Sequence, residues 1–279
     1  MHLQHGPHGT ESWWVPETIG AALLVLALAA YVVGVHRHSD RDRGPWPRHR
    51  IALWAAGLSC VGAAWLGPLA EAARTDFTAH MAGHLLLGML GPLLLVCAAP
   101  VTLALRTLQL HHARVLSRVL RSPFARAVTH PVVATVLNVG GVWVLYGTGL
   151  YALMHQSMAL HVLVHAHVLL AGVAFTVAIV GPDPNPHRAG FGTRAAVLVV
   201  FIAAHSILGR WLYGHPPAGV DPADARAGAQ LMFYGGELID LALLTLLFAG
   251  WYPGTRRQRR PRVPAHASTT PRPGETLRG

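Results

Sequence analysis

The sequence predicts an all-α, polytopic membrane protein of about seven transmembrane helices, with its N-terminus outside and its C-terminus in the cytoplasm. Three observations carry this. Of 279 residues, 52% are hydrophobic and only 12% charged, too apolar for an ordinary soluble domain. The apolar residues fall into seven runs of about 20, the length at which a helix rising 1.5 Å per residue crosses ~30 Å of hydrocarbon. All 22 basic residues are arginine, gathered in alternate connecting segments, as expected when positively charged loops stay in the cytoplasm. Only helices that satisfy their own backbone suit that medium, so the class follows.

The first run, about Thr18 to Val35, has Trp13 and Trp14 at the outer aromatic belt and is followed by Arg37, Arg41, Arg43, Arg48 and Arg50. It has the length of a secretory signal, but no basic residue precedes it and a basic cluster follows, so it reads as a retained helix. The second run spans about Ile51 to Leu69. The third spans about Thr78 to Leu105, where Pro92 and Pro100 are expected to kink or shorten it. Arg106, Arg114, Arg118, Arg121 and Arg126 follow. Runs four to seven cover about Val132 to Tyr151, Met158 to Val180, Ala195 to Tyr213 and Ala229 to Trp251, with Arg188 and Arg194 between the fifth and sixth. Residues 1–17 read as an external His-rich leader, 18–252 as a seven-helix transmembrane domain, and 253–279 as a disordered Arg- and Pro-rich cytoplasmic tail near anionic headgroups. The arrangement puts 19 arginines inside and only Arg74, Arg210 and Arg226 outside.

A formal charge of +10 raises nucleic acid as a partner. The charge follows topology instead, and no basic surface interleaved with aromatics appears, so the predicted partner is the lipid bilayer and not nucleic acid. Cys60 and Cys97 lie in apolar runs without a CxxC motif, and read as small buried side chains.

Among 19 histidines, His36, His38, His49, His111, His112, His130 and His187 fall in cytoplasmic connections or at helix ends, where a solvated interfacial role is expected. An ionisable group inside a membrane helix is costly and points to function. Asp76, His80 and His84 recur every fourth residue on the third helix, and His161 and His165 share that spacing on the fifth. Both helices run inward from outside, so both pairs lie at matched depth in the outer leaflet. Imidazoles at i and i+4 can share a metal ion, and two facing pairs complete a four-nitrogen site; interhelical hydrogen bonding is the alternative. His167 falls on another face. Deeper, His205 and Glu237 reach similar depths, with Asp240 nearly one turn further in; His205 and Glu237 are the expected partners in a supporting or proton-relay layer that includes Asp76 and Asp240. Met81 and Met158 would add soft donors for Cu(I), or simply pack. His2, His5 and His8 in the leader would gather copper or zinc, or form a plain polar segment. Copper, as Cu(I), is the favoured ion, with zinc or a single haem behind it; two stacked haems do not fit residues only ~6 Å apart along a helix axis.

The stretches AHMAGHLLLGMLGPLLLVCAAPVTLALR, HPVVATVLNVGGVWVLYGTGLY, HVLVHAHVLLAGVAFTVAIVGPDPNP, AAHSILGRWLYG and LMFYGGELIDLALL resemble the membrane-integral CtaG-type cytochrome c oxidase assembly factors. The similarity covers about Leu66 to Trp251. Carried over residue by residue, it lands on His80, His84, His161, His165 and His205, and on Asp224 ahead of the seventh helix. Helix four of that family often reads Trp-His-x-Pro-x-x-Tyr; here Tyr146 stands at the histidine and Thr148 at the proline. Ala225 follows Asp224 where Asp-Gln is usual, and Phe233 replaces a common tryptophan. The resemblance implies a non-enzymatic, multi-pass factor of the bacterial plasma membrane that helps mature a haem-copper oxidase, with an oxidase subunit as its membrane partner. Copper handling is our inference from the matched histidines, and it adds an external copper chaperone as a further partner. Two other classes compete. A seven-helix metal hydrolase would use Glu237 or Asp76 as base beside an open metal position, and a haem- or quinol-linked redox protein would use the same histidines differently.

Overall fold

The computed structural model describes residues 14–40 and 44–258, with side chains to 252, so His2, His5, His8 and the tail beyond 258 lie outside the described residues. Among the described residues there is no strand. In chain order the main helices are α1 (Trp14–Ser39), α2 (Arg48–Ala72), α3 (Phe77–Thr107), the amphipathic connector α4 (Leu110–Leu120), α5 (Pro131–Gly147), α6 (Met158–Ile179), α7 (Phe191–Gly214) and α8 (Pro222–Tyr252). Six of these are long and apolar enough to cross a membrane, and α5 is a shorter apolar helix in the fourth run. The seven apolar runs are thus seven apolar helices in an all-α polytopic membrane protein. We call the end where α1 begins the upper end.

Helix α3 is the most buried span and packs against α2, α6 and α8, while α1 is the most exposed. Both prolines in α3 act locally. Pro92 has no N–H to give to the Gly88 carbonyl, and the helix widens into a π turn over Leu86–Leu90 just before it. The released carbonyl lies against α6: a Cβ at Gly172 would stand 2.2 Å from it, so only glycine permits this approach. Ala99 then takes a left-handed conformation, φ 55°, and Pro100 opens a fresh helical segment.

Each N-terminus created in α3 is capped from a distant helix connection. The Asp183 carboxylate, between α6 and α7, accepts the N–H groups of Val101 and Thr102 at 3.1 and 2.7 Å and the Thr102 hydroxyl at 2.6 Å. At the upper end, Asp224 in the first turn of α8 accepts the N–H groups of Phe77 and Thr78 at 2.6 and 2.9 Å and the Thr78 hydroxyl at 2.7 Å. Asp76 caps the same helix locally through the Ala79 N–H, 2.6 Å. A carboxylate at a helix N-terminus combines charge-assisted hydrogen bonds with the favourable end of the helix dipole.

Two apolar clusters fill the bundle. The upper one includes Phe77, Met81, Tyr146, Leu208 and Met232; the lower includes Leu85, Phe175, Phe201, Ile239 and Leu243. At the periphery, the Tyr31 hydroxyl of α1 donates to the Ala98 carbonyl at 2.9 Å and receives the Trp46 indole N–H at 3.0 Å. This fold-back corrects one expectation. His38, expected to be solvated, is 2% exposed and stands edge-on to Trp46 at 5.1 Å, because the 44–47 loop closes over the lower end of α1. Cys60 and Cys97 are half-buried free thiols.

Asp183→Ala and Asp224→Ala each strip three accepted hydrogen bonds from α3, and each should lower stability by about 2–4 kcal/mol. Glu237→Gln, at an exposed position, should shift it by less than ~0.5 kcal/mol. Thermal unfolding in detergent, followed by circular dichroism, checks this; equal small shifts in all three variants would show that the caps do not hold α3.

Candidate metal site

Six histidines converge in the upper half of the bundle: His80 and His84 from α3, His161 and His165 from α6, His205 from α7, and His155 from the turn before α6. Four of them close a ring. Their centres are separated by 6.2 Å (His80 to His155), 6.4 Å (His155 to His161), 4.1 Å (His161 to His165) and 6.3 Å (His165 to His80). Helical spacing produces the 4.1 Å stack, since i and i+4 share a face. Of the two α3 histidines, it is His80 whose ring stands against His165. His84 lies one turn further in and meets His205 at 6.3 Å, with the ring planes 15° apart.

Several ring nitrogens have assignable roles. His80 Nε2 shares a hydrogen bond with the Tyr146 hydroxyl at 2.9 Å, and Tyr151 stands edge-on to the same ring at 5.2 Å. His165 Nδ1 is 2.9 Å from the His161 carbonyl; a carbonyl only accepts, so Nδ1 carries the proton and Nε2 keeps the lone pair. His84 Nε2 and His205 Nε2 are buried with no hydrogen-bond partner. Such groups are costly to bury, and a metal ion is one occupant that would satisfy them. A cavity of about 20 Å³ lies among His80, His84, Tyr146 and His165, enough for a single water-sized occupant. As the side chains stand, no group of three or more His, Cys, Asp or Glu among the described residues closes on a common point. Two imidazoles on one tetrahedral ion, with ~2.0 Å metal–nitrogen bonds, have ring centres ~5 Å apart. The three wider edges of the ring therefore need about 1 Å of contraction, and the stacked His161–His165 pair about 1 Å of opening, to close on one ion.

One ring member, His155, borders an upper pocket of about 480 Å³, lined also by Arg74, Tyr151, Gln156, Asp221 and Asp224. A second, of about 30 Å³, lies where Glu17 of α1 pairs with Arg74 and reaches His161 and His165 beside Trp65. Partial burial lowers the His155 pKa below that of a free imidazole, which keeps it neutral and able to donate near pH 7. His155 was not singled out from the sequence. It caps a one-turn helix, Leu150–Met154, and has no histidine at helical spacing; its only signal was lying six residues before His161.

The expected supporting layer is arranged differently. Asp76 and Asp224 spend their oxygens on backbone N–H groups of α3. Glu237 is exposed and does not pair with His205, as had been expected; His205 Nε2 has no partner. The reason is helical register. Gly236 abuts the His205 ring, where a Cβ would stand 2.5 Å from Cε1, so Glu237 turns about 100° away. The next residue on Gly236's face is Asp240, which is 2% exposed with neither carboxylate oxygen bonded. Met81 packs in the upper apolar cluster, fully buried, and Met158 is half-buried on the first turn of α6. His167 stands apart from the ring, with Nε2 2.9 Å from the Leu137 carbonyl in the π turn of α5.

No solved structure matches the chain. An uncharacterized protein of Mycobacterium leprae (strain TN) is 30% identical over 266 residues, covering 86% of this chain and 39% of the relative. Uncharacterized proteins of Mycobacterium bovis and Mycobacterium tuberculosis are each 32% identical over 204 residues, 71% of this chain and 31% of theirs. The chain spans about a third of the length of these curated relatives. The sequence model described as Cytochrome c oxidase caa3 assembly factor (Caa3_CtaG) matches residues 29–253. With most of the chain matched, this protein belongs to the cytochrome c oxidase caa3 assembly factor family.

Proposed function

We propose that the chain supports maturation of a haem-copper oxidase in the bacterial plasma membrane by holding copper, as Cu(I), among His80, His155, His161 and His165, with His84 one turn deeper, beside the small cavity it shares with His80 and His165. The observation that carries this is the closed ring of four imidazoles, with centres 4.1 to 6.4 Å apart, one of which, His155, lines a pocket at the upper end. Family membership supplies oxidase assembly, and the ring supplies chemistry: neutral imidazole is a good copper donor. A hydrolase would need a carboxylate base beside its metal. Asp76 and Asp224 cap α3 and Glu237 faces away, which favours binding and transfer over catalysis. An external copper chaperone would load the ring and an oxidase subunit in the membrane would take its copper. In this reading the upper end is external, residues 1–17 form the leader and 253–279 the cytoplasmic tail, in keeping with 19 arginines inside and 3 outside.

A reporter fused after Arg260 is expected in the cytoplasm and one inserted at Gly219 outside. The reverse labelling would put the ring on the cytoplasmic side and overturn external loading. His161→Ala and His165→Ala should each weaken Cu(I) binding at the ring by more than about tenfold and lower oxidase activity in host membranes. His111→Ala and His187→Ala, far from the ring, should change neither. If the His161 and His165 variants bind copper as the wild type does, the ring is a set of interhelical polar contacts.

Tyr146→Phe removes the hydroxyl that occupies His80 Nε2. A net hydrogen bond of ~0.5–1.5 kcal/mol then no longer competes with the metal, and Cu(I) affinity should rise about two- to tenfold. Chelator competition measures it. A fall in affinity would mean instead that Tyr146 aims His80 at the ion.

A further inference from the structure

One turn inward of the ring, two more imidazoles stand together with nothing to bond. His84 and His205 are 8% and 2% exposed, their ring centres are 6.3 Å apart with planes 15° from parallel, and the Nε2 atom of each is buried without a partner. The His205 ring is held in place on two sides. Gly236 lies so close that a Cβ would fall 2.5 Å from Cε1, and Phe201 lies parallel at 6.0 Å. On the same face of α8, one turn past Gly236, Asp240 is 2% exposed and both its oxygens lack partners. Two lone imidazole nitrogens and a lone carboxylate at membrane depth are three separate costs. One cation bound by the two nitrogens would satisfy both imidazoles, and a carboxylate at that depth would offset its charge.

The spacing admits a two-coordinate ion. Two metal–nitrogen bonds of ~2 Å, with ~1.1 Å more from each nitrogen to its ring centre, put the centres of a linear bis-imidazole unit ~6 Å apart. Cu(I) accepts two-coordinate linear geometry, whereas Zn(II) takes four ligands in protein sites. Charge points the same way. Cu(I), two neutral imidazoles and one carboxylate sum to zero, while a divalent ion would leave a charge uncompensated at a depth where that is expensive.

We propose that His84 and His205 form a second copper station, a two-coordinate Cu(I) site one turn inward of the ring, with Asp240 as its counter-charge. It rests on the reading that the ring takes copper. His80 and His84 sit at i and i+4 on α3, so the ion passes from ring to station by exchanging one imidazole for another, with no change of oxidation state.

The test loads the full-length protein in detergent with Cu(I) under anaerobic conditions. Copper per chain is read by elemental analysis, and coordination by the X-ray absorption edge, where two-coordinate Cu(I) gives a sharp feature that higher coordination weakens. Wild type should bind two Cu(I) with the feature present. His205→Ala should bind one and lose the feature; His161→Ala should lose the ring copper and keep it. Asp240→Asn should weaken the inner copper by about tenfold or more. Gly236→Ala keeps both imidazoles but drives a Cβ into the His205 ring, and should behave as His205→Ala while retaining wild-type helicity. A chain that binds a single copper, lost in His161→Ala and kept in His205→Ala and Gly236→Ala, overturns the inner station and leaves the ring standing. A wild-type chain that binds none overturns both.

Discussion

The Asp224 carboxylate accepts the first free N–H groups of α3 at 2.6 and 2.9 Å, and through them α8 sets the depth and rotation of the helix that carries His80 and His84. The consequence is local and strict. A single residue separates the capped Thr78 from His80, so a slip of α3 against α8 would carry both imidazoles off their partners. Gly228 and Gly235 on α8 let the two helices close to that distance, since a Cβ at either would stand 2.6 Å from Phe77 or Leu85. Lower down, Asp183 repeats the device from the other side of the bundle, so α3 is fixed against α6–α7 as well as α8. In hydrocarbon no water can satisfy an exposed helix end, which is why a helix interrupted at Ala99 needs a carboxylate from elsewhere.

The irregular backbone follows the same constraint. Pro92 frees the Gly88 carbonyl, the π turn absorbs the misfit, and Gly172 brings α6 against the gap. The π turn of α5 is met by a side chain instead: His167 reaches the Leu137 carbonyl. This histidine and the ring's His161 and His165 belong to one helix and differ in what their helix face meets. Facing a released carbonyl, an imidazole becomes a structural bond; facing other imidazoles, it keeps a lone pair to offer.

Period and length made the helices legible, and the arginine asymmetry ordered their connections. Depth was legible too, since two HxxxH pairs on two descending helices must fall at the same level. Rotation was not. Counting residues from a helix end placed Glu237 and His205 at one depth without saying that Gly236, a single residue earlier, faces the ring and sends Glu237 outward. The same gap left out His205 on α7, whose ring stands 6.3 Å from His84, while His84 and His165 of α6 line one small cavity as well. His155 escaped because it lies in a turn whose direction depends on how Leu150–Met154 docks Tyr151 against His80. Periodicity along one helix carries no information about that contact.

On the proposed copper reading, Tyr146 would set the ring's strength. The related motif has a histidine at this position, and here a phenol stands in its place with its hydroxyl on His80 Nε2. A further imidazole would add a donor and deepen the site. A hydroxyl withdraws one instead, and returns it when the hydrogen bond breaks. A protein that stores an ion gains from saturating its ligands, whereas one that passes an ion on needs binding weak enough to reverse. If the ring takes copper, as proposed, then ring edges of 6.2 to 6.4 Å that must contract to close, a competing hydroxyl, and unbonded nitrogens one turn deeper would all weaken its hold on the inward side, and an affinity graded along α3 would suit transfer better than one maximal at a single point.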